Sequence, residues 1–161
     1  MNAWFLFCSS IITLILCNNN YVHAIVDSSV CKSYKEVERQ FNCGASGYPI
    51  NYGYKYCLNF TNKKIRERFS DFGKSFIDCT TKCLIEKILT IAENSTTCLQ
   101  VHEKAFHSHV DCYLSCDFCK VCKTQKIPLM QSYDWSDFLS FDATQQVYSI
   151  VKNCGILSCF L

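Results

Sequence analysis

Four cysteines limit the folds open to this chain more than any other feature: Cys79 and Cys83 in one apolar run, Cys112 and Cys116 in the next. In the first run Phe72, Phe76, Cys79 and Cys83 recur at the period of one helical face. In the second, Cys98, Ala105, Cys112 and Cys119 stand seven apart, with Cys116 one turn beyond Cys112. Asn94-Ser-Thr-Thr97 separates the runs, and Thr97-x-x-Gln100 has the form of a capping box opening the second helix. Helices joined by so short a turn pack antiparallel. Residues that face each other then have numbers with a constant sum, and Cys83 with Cys112 and Cys79 with Cys116 share one sum. Four residues rise ~6 Å on each helix, so the two pairs predict parallel disulfide rungs across a helical hairpin. The first rung is worth ~3–4 kcal/mol in the chain-entropy model, and the second, closing few further residues, adds less.

Rungs of this kind need an oxidising compartment, and the start of the chain predicts one. Residues 1–24 contain no Asp, Glu, Lys or Arg; an apolar block from Trp4 to Cys17 leads to Val22-His23-Ala24, with small residues where a signal peptidase cleaves. The block is about 14 residues, short of the ~20 of a spanning helix. The expectation is a secretory leader over 1–24 and one domain over 25–161, secreted and without stable membrane insertion. Of the fourteen cysteines, Cys8 and Cys17 leave with the leader, and the remaining twelve form a disulfide framework. Asn59-Phe-Thr61 and Asn94-Ser-Thr96 are glycosylation sequons, with Asn94 in the better-exposed turn. A formal charge of +2, with scattered basic residues, gives no reason to expect nucleic acid. Lys63-Lys64-Ile65-Arg66-Glu67-Arg68 is read as a solvated helix face.

Hydrophobic periodicity predicts about five helices. They run from about Cys31 to Phe41, Tyr54 to Phe69, Asp71 to Ala92, Cys98 to Phe118 and Trp135 to Asn153, the last burying Trp135, Phe138, Leu139, Phe141, Val147, Ile150 and Val151 with Gly155 as its cap. Cys43 to Gly53, rich in turn residues, is expected to be a loop, and Cys119 to Pro128 a connector in which Pro128 ends any helix. The class is an all-α, disulfide-rich bundle built around the antiparallel hairpin.

Chemistry is sparse. Cys112, Cys116, Cys119 and Cys122 have spacings that suit zinc or an iron–sulfur cluster, but metal ligation needs thiolates and the secretory route favours disulfides. No metal and no cofactor is expected. His102, His107 and His109 do not share one helical ligand face and are read as exposed or helix-packing, each replaceable by Ala without loss of activity. His109-Val-Asp111-Cys112 resembles the His-Asp-Cys of secreted phospholipase A2, but the inserted residue turns Asp111 by ~100°. The family's Gly-rich calcium loop has only an echo in Tyr52-Gly-Tyr. No catalytic set is expected.

Phe69-x-x-x-Gly73-Lys74-Ser75-Phe76-Ile77, followed by Lys82-Cys83, resembles the signature of the stanniocalcins, secreted glycoprotein hormones. The steps between Cys98, Cys112, Cys119 and Cys154 are similar to theirs, and Cys43-Gly44 and Cys57 resemble the cysteines that open the family domain. The likeness covers Cys31 to Cys154. It departs in two missing cysteines between Cys43 and Cys57, in the additional Cys79, Cys116, Cys122 and Cys159, and in a long tail with a dimer-linking cysteine that has no counterpart before Leu161. The resemblance implies an extracellular signalling protein that binds a receptor or a protease, in calcium or phosphate regulation or metalloproteinase inhibition. Without the linking cysteine it would be a monomer or a non-covalent dimer. It also implies Cys83–Cys112, Cys43–Cys57 and Cys119–Cys154. Pairing the cysteines then left over gives Cys122–Cys159, which flanks Cys119–Cys154, and Cys31–Cys98. The alternatives are an unrelated helical disulfide scaffold that binds lipid or inhibits a protein, and a secreted phospholipase A2-like enzyme.

Overall fold

The computed structural model describes residues 27–134, 136, 137, 141–155 and 159. The expected leader over 1–24, Trp135, Phe138, Leu139 and the side chain of Phe141 lie outside the described residues.

Every regular element among the described residues is helical. A 3-10 turn, Ser28–Cys31, opens into α1 (Lys32–Phe41), which ends where Asn42 turns left-handed at φ 52° and donates its N–H to Glu38 O. A wide π-helical turn, Pro49–Tyr54, runs directly into α2 (Lys55–Thr61). The expected loop from Cys43 is therefore helical over its second half. Proline stands at the first helical position, where its missing N–H costs nothing. Gly53 is needed there, since a Cβ would come within 2.3 Å of the Tyr34 ring.

The second predicted helix is broken at Asn62, whose extended backbone (ψ 124°) stops α2 and whose side chain caps the single turn of α3 (Lys63–Arg66). The hairpin follows, with α4 (Asp71–Glu93) capped by Ser70 and α5 (Cys98–Ser115) capped by Thr97. Gln100 reaches back to the N–H of Thr96 rather than of Thr97, so the capping box closes one residue early. Asp117, left-handed at φ 63°, ends that run, and the expected connector is two short helices, α6 (Phe118–Thr124) and α7 (Lys126–Met130). Pro128 lies in the first turn of α7, where it is tolerated. Last comes α8 (Phe141–Cys154), followed by Gly155 at φ 82°.

Both rungs bridge α4 and α5, Cys79–Cys116 and Cys83–Cys112, each with Cα atoms 5.7 Å apart. On each rung the α5 cysteine is buried, Cys112 and Cys116, while the α4 cysteine is more open. Cys79 is exposed, and the face of α4 that is buried carries Phe76, Ile77, Thr80, Thr81, Leu84 and Ile88. Cys119–Cys154 and Cys122–Cys159 tie the end of the chain to α6.

Two expected pairings are wrong. Neither Cys31–Cys98 nor Cys43–Cys57 forms; the bonds are Cys31–Cys57 and Cys43–Cys98. Cys31 and Cys43 stand at opposite ends of α1, about 18 Å of helix apart. The helical stretch Pro49–Thr61 carries Cys57 back to the N-terminal end of α1, while the turn after Asn42 meets the start of α5 at Cys98. Cys57 stays near Cys43 only if the segment between them is a loop.

Around this frame the core has two halves. One lies between α1, the π turn and the hairpin's closed end, centred on Tyr34, Val37, Tyr48, Ile88 and Val101. The other lies at the hairpin's open end, where Phe60, Phe69, Phe76, Ile77, Tyr113, Val121 and Ile150 join α2, α4, α5, α6 and α8. Phe69 is packed onto Gly73, where a Cβ would approach its ring to 2.7 Å. The Phe-x-x-x-Gly spacing of the sequence signature is thus a close-packing device.

Candidate functional site

The open end of the hairpin is not filled. A cleft of about 520 Å³ lies there, walled by Tyr113 of α5, Phe118 and Cys122 of α6, Leu129 and Met130 of α7, Tyr133, and Val147, Ile150 and Val151 of α8, with Tyr52 reaching in from the π turn. Its size is that of pockets that take drug-sized molecules, and its wall is of the same apolar and aromatic kind. A second, enclosed space beneath Tyr34, Tyr52, Thr81 and His109 is only about 10 Å³, room for about one water.

Ties lie on both sides of α8 along the chain. On its N-terminal side Lys55 pairs with Asp134 and Asp137, and Tyr56 donates to Asp137 Oδ2 at 2.5 Å while accepting from the Asp134 N–H. Burial raises the Asp137 pKa, but the hydrogen bonds from Tyr56 and Lys55 outweigh it and hold the carboxyl below its usual value. On the C-terminal side the two disulfides fasten Cys154 and Cys159 to α6. The sulfurs of Cys122, Cys154 and Cys159 lie within 4.8 Å of one another, and all three are consumed in disulfides.

Polar groups in the wall are few. Tyr113 and Tyr133 share a hydroxyl–hydroxyl hydrogen bond of 2.6 Å, and burial pushes both phenols far above their ordinary range, so they stay protonated. Gln146 is 7% exposed and its amide oxygen has no hydrogen-bond partner among the described residues. Lys126 stands at the wall with no ion pair among the described residues. Two of the lining side chains are also open to solvent, Met130 at 48% and Val147 at 37%.

The residues weighed for chemistry in the sequence do not converge. His107 and Asp111 are exposed, His102 is half-buried against Phe106, and His109 is 2% exposed, ringed by Tyr48, Tyr52, Phe106 and Tyr113. The His109 ring donates from Nδ1 to the Ala105 carbonyl at 2.7 Å, and burial lowers its pKa to about 4. It is a packing histidine, and its replacement by Ala would empty a buried site. Of the sequons, Asn94 is exposed in the hairpin turn, whereas Asn59 is half-buried under the Ser132 carbonyl. The basic stretch is only partly solvated: Lys63 faces Glu67, but Arg66 makes a two-pronged pair with Asp78 at 2.7 and 3.0 Å, their side chains 11% and 12% exposed.

Sequence reasoning did not reveal the cleft. Its wall is assembled from α6 and α7, read as a connector, and from α8, read as wholly core. The one available signal was the run 118–131, apolar residues with three lysines and no carboxylate, which is ill suited to a plain solvated linker.

No helix among the described residues is long and apolar enough to cross a membrane. Comparison with protein-family models, curated proteins and solved structures finds no match to this chain.

Proposed function

We propose that the mature chain is a secreted, disulfide-braced binding protein that carries an apolar small molecule in the cleft between α5, α6, α7 and α8. The observation that supports this reading is the cleft itself: 520 Å³ walled mainly by side chains that gain by meeting an apolar surface. The framework of six disulfides suits an extracellular route. The test is binding of a neutral probe, tetradecanol, to the intact oxidised protein. The expected result is saturable one-to-one binding that raises the thermal midpoint, with stabilisation of about 2.7 kcal/mol at a hundredfold excess over Kd. Val151→Trp, which places an indole in the cleft, is expected to remove both effects. Absence of saturable binding to the unmodified protein would refute the reading.

A second reading is a stanniocalcin-like signalling glycoprotein that acts by binding an extracellular receptor or protease. It is favoured by the Cys83–Cys112 and Cys119–Cys154 bonds and by the exposed sequon at Asn94. Against it stands Cys43, which joins Cys98 instead of Cys57. Inhibition of a secreted metalloproteinase, or altered calcium or phosphate flux across an epithelium, is the outcome it requires.

A further inference from the structure

The cleft is apolar, but its polar groups are not arranged at random. Segment 118–131, which forms its α6–α7 wall, carries Lys120, Lys123 and Lys126 and no acidic residue. Lys120 is occupied over the Phe72 ring, 4.1 Å from its centroid. Lys126 lines the cleft without an ion pair among the described residues. The Gln146 amide lines the same cleft from α8, its oxygen buried and unpartnered among the described residues. A buried polar group left unpaired, as Gln146 is among the described residues, is costly. A ligand with a polar end reaching it would remove that cost, and the half-buried Lys126 ammonium in the same lining favours negative charge on that end. With the amide turned over, Gln146 donates from Nε2, and the two amide orientations differ only in which atom is placed where.

We propose that the ligand is a single-chain amphiphile with a carboxylate head, its tail along the apolar wall and its head between the Lys126 ammonium and the Gln146 amide. This rests on the apolar-ligand reading above and adds the chemistry of the head. Size agrees: a cleft of about 520 Å³ falls within the range of pockets that enclose drug-sized ligands, a class that includes single-chain amphiphiles. Met130 and Val147 line the cleft and are also exposed, which suits entry of the tail from an apolar donor.

The test compares radiolabelled tetradecanoate and tetradecanol, both below their micellar concentrations, on the intact protein and on Lys126→Gln and Lys126→Arg. Tetradecanoate is expected to bind more tightly than tetradecanol. Lys126→Gln should weaken tetradecanoate by about tenfold, the worth of one charge-assisted hydrogen bond, and tetradecanol, whose neutral hydroxyl forms only an ordinary hydrogen bond, by clearly less, so that the ratio between the two falls. Lys126→Arg should retain most of the carboxylate preference. If both probes bind and Lys126→Gln leaves their ratio unaltered, the carboxylate inference is overturned and the apolar site stands. If neither probe binds, the apolar site itself is overturned.

Discussion

His109 should make the protein sensitive to mild acid. Its ring is enclosed by Tyr48, Tyr52, Phe106 and Tyr113, and burial lowers its pKa to about 4, against about 6.5 in an unfolded chain. The folded state thus resists a proton that the unfolded state accepts. Stability is fully present above pH 6.5 and is lost as pH falls toward 4. Linkage between these two values gives a loss of about 2 kcal/mol from pH 7 to pH 5. The tyrosines facing the ring remain protonated throughout this window, because burial raises their pKa values. The perturbation is His109→Phe, which keeps an aromatic ring and removes the titration. Urea unfolding at fixed ionic strength, with disulfides intact, is measured for both proteins at pH 7, 6 and 5. Exposed carboxylates titrate alike in the two and cancel in the difference. Wild type should lose about 2 kcal/mol relative to the variant over that range, and parallel pH profiles would refute the assignment of His109 as a buried neutral ring.

Two further predictions concern the frame. Arg66→Ala strands the Asp78 carboxylate beneath α3 and should cost about 3–5 kcal/mol in the same unfolding assay, whereas a loss near zero would mean the pair is effectively solvated. Removing either hairpin rung alone, as Cys79→Ser with Cys116→Ser or Cys83→Ser with Cys112→Ser, should cost well under the ~3–4 kcal/mol of a first cross-link, because the remaining bond keeps the loop closed. Removing both should exceed the sum of the separate losses, and simple additivity would count against that reasoning.

The hairpin was legible because helical period and antiparallel register are both local arithmetic. Cys79, Cys83, Cys112 and Cys116 lie within two continuous helices, so no long-range information was needed to pair them. Cys31 and Cys43 were different. Their partners depend on whether residues 43–53 form a loop or a helix, and Gly44, Gly47, Pro49 and Gly53 signal a loop. Tertiary contact decided otherwise, because Gly53 lets the π turn pack against Tyr34. Arg66 shows the same limit: its neighbours suggest a solvated face, and only the break at Asn62 swings it toward Asp78. The cleft lay furthest from view, since periodicity marks which face of α8 is apolar but not whether that face meets a partner.

Why an apolar cleft persists instead of closing follows from where α8 is fastened. A filled core would bury the walls of the cleft against one another, and collapse is favoured by ~25 cal/mol for each Å² of apolar surface withdrawn from water. Opposing it are ties at the two ends of the helix. The Lys55 and Tyr56 contacts fix Asp134 and Asp137 ahead of α8, and the bonds from Cys119 and Cys122 fix Cys154 and Cys159 at and beyond its end. Closing a 35-residue loop such as Cys119–Cys154 restricts the unfolded chain by about 4 kcal/mol in the chain-entropy model, so the bond stabilises the fold without requiring tight packing beneath α8. The two ties differ in kind. The Asp137 carboxyl is held below its usual pKa, so the polar tie is intact above the ordinary carboxylate range and is lost as pH falls through the folded value. The disulfides do not titrate. In acid, α8 is therefore released first at its N-terminal end, while Cys119–Cys154 and Cys122–Cys159 keep its other end beside α6, and the cleft opens on the side of Asp134 and Asp137.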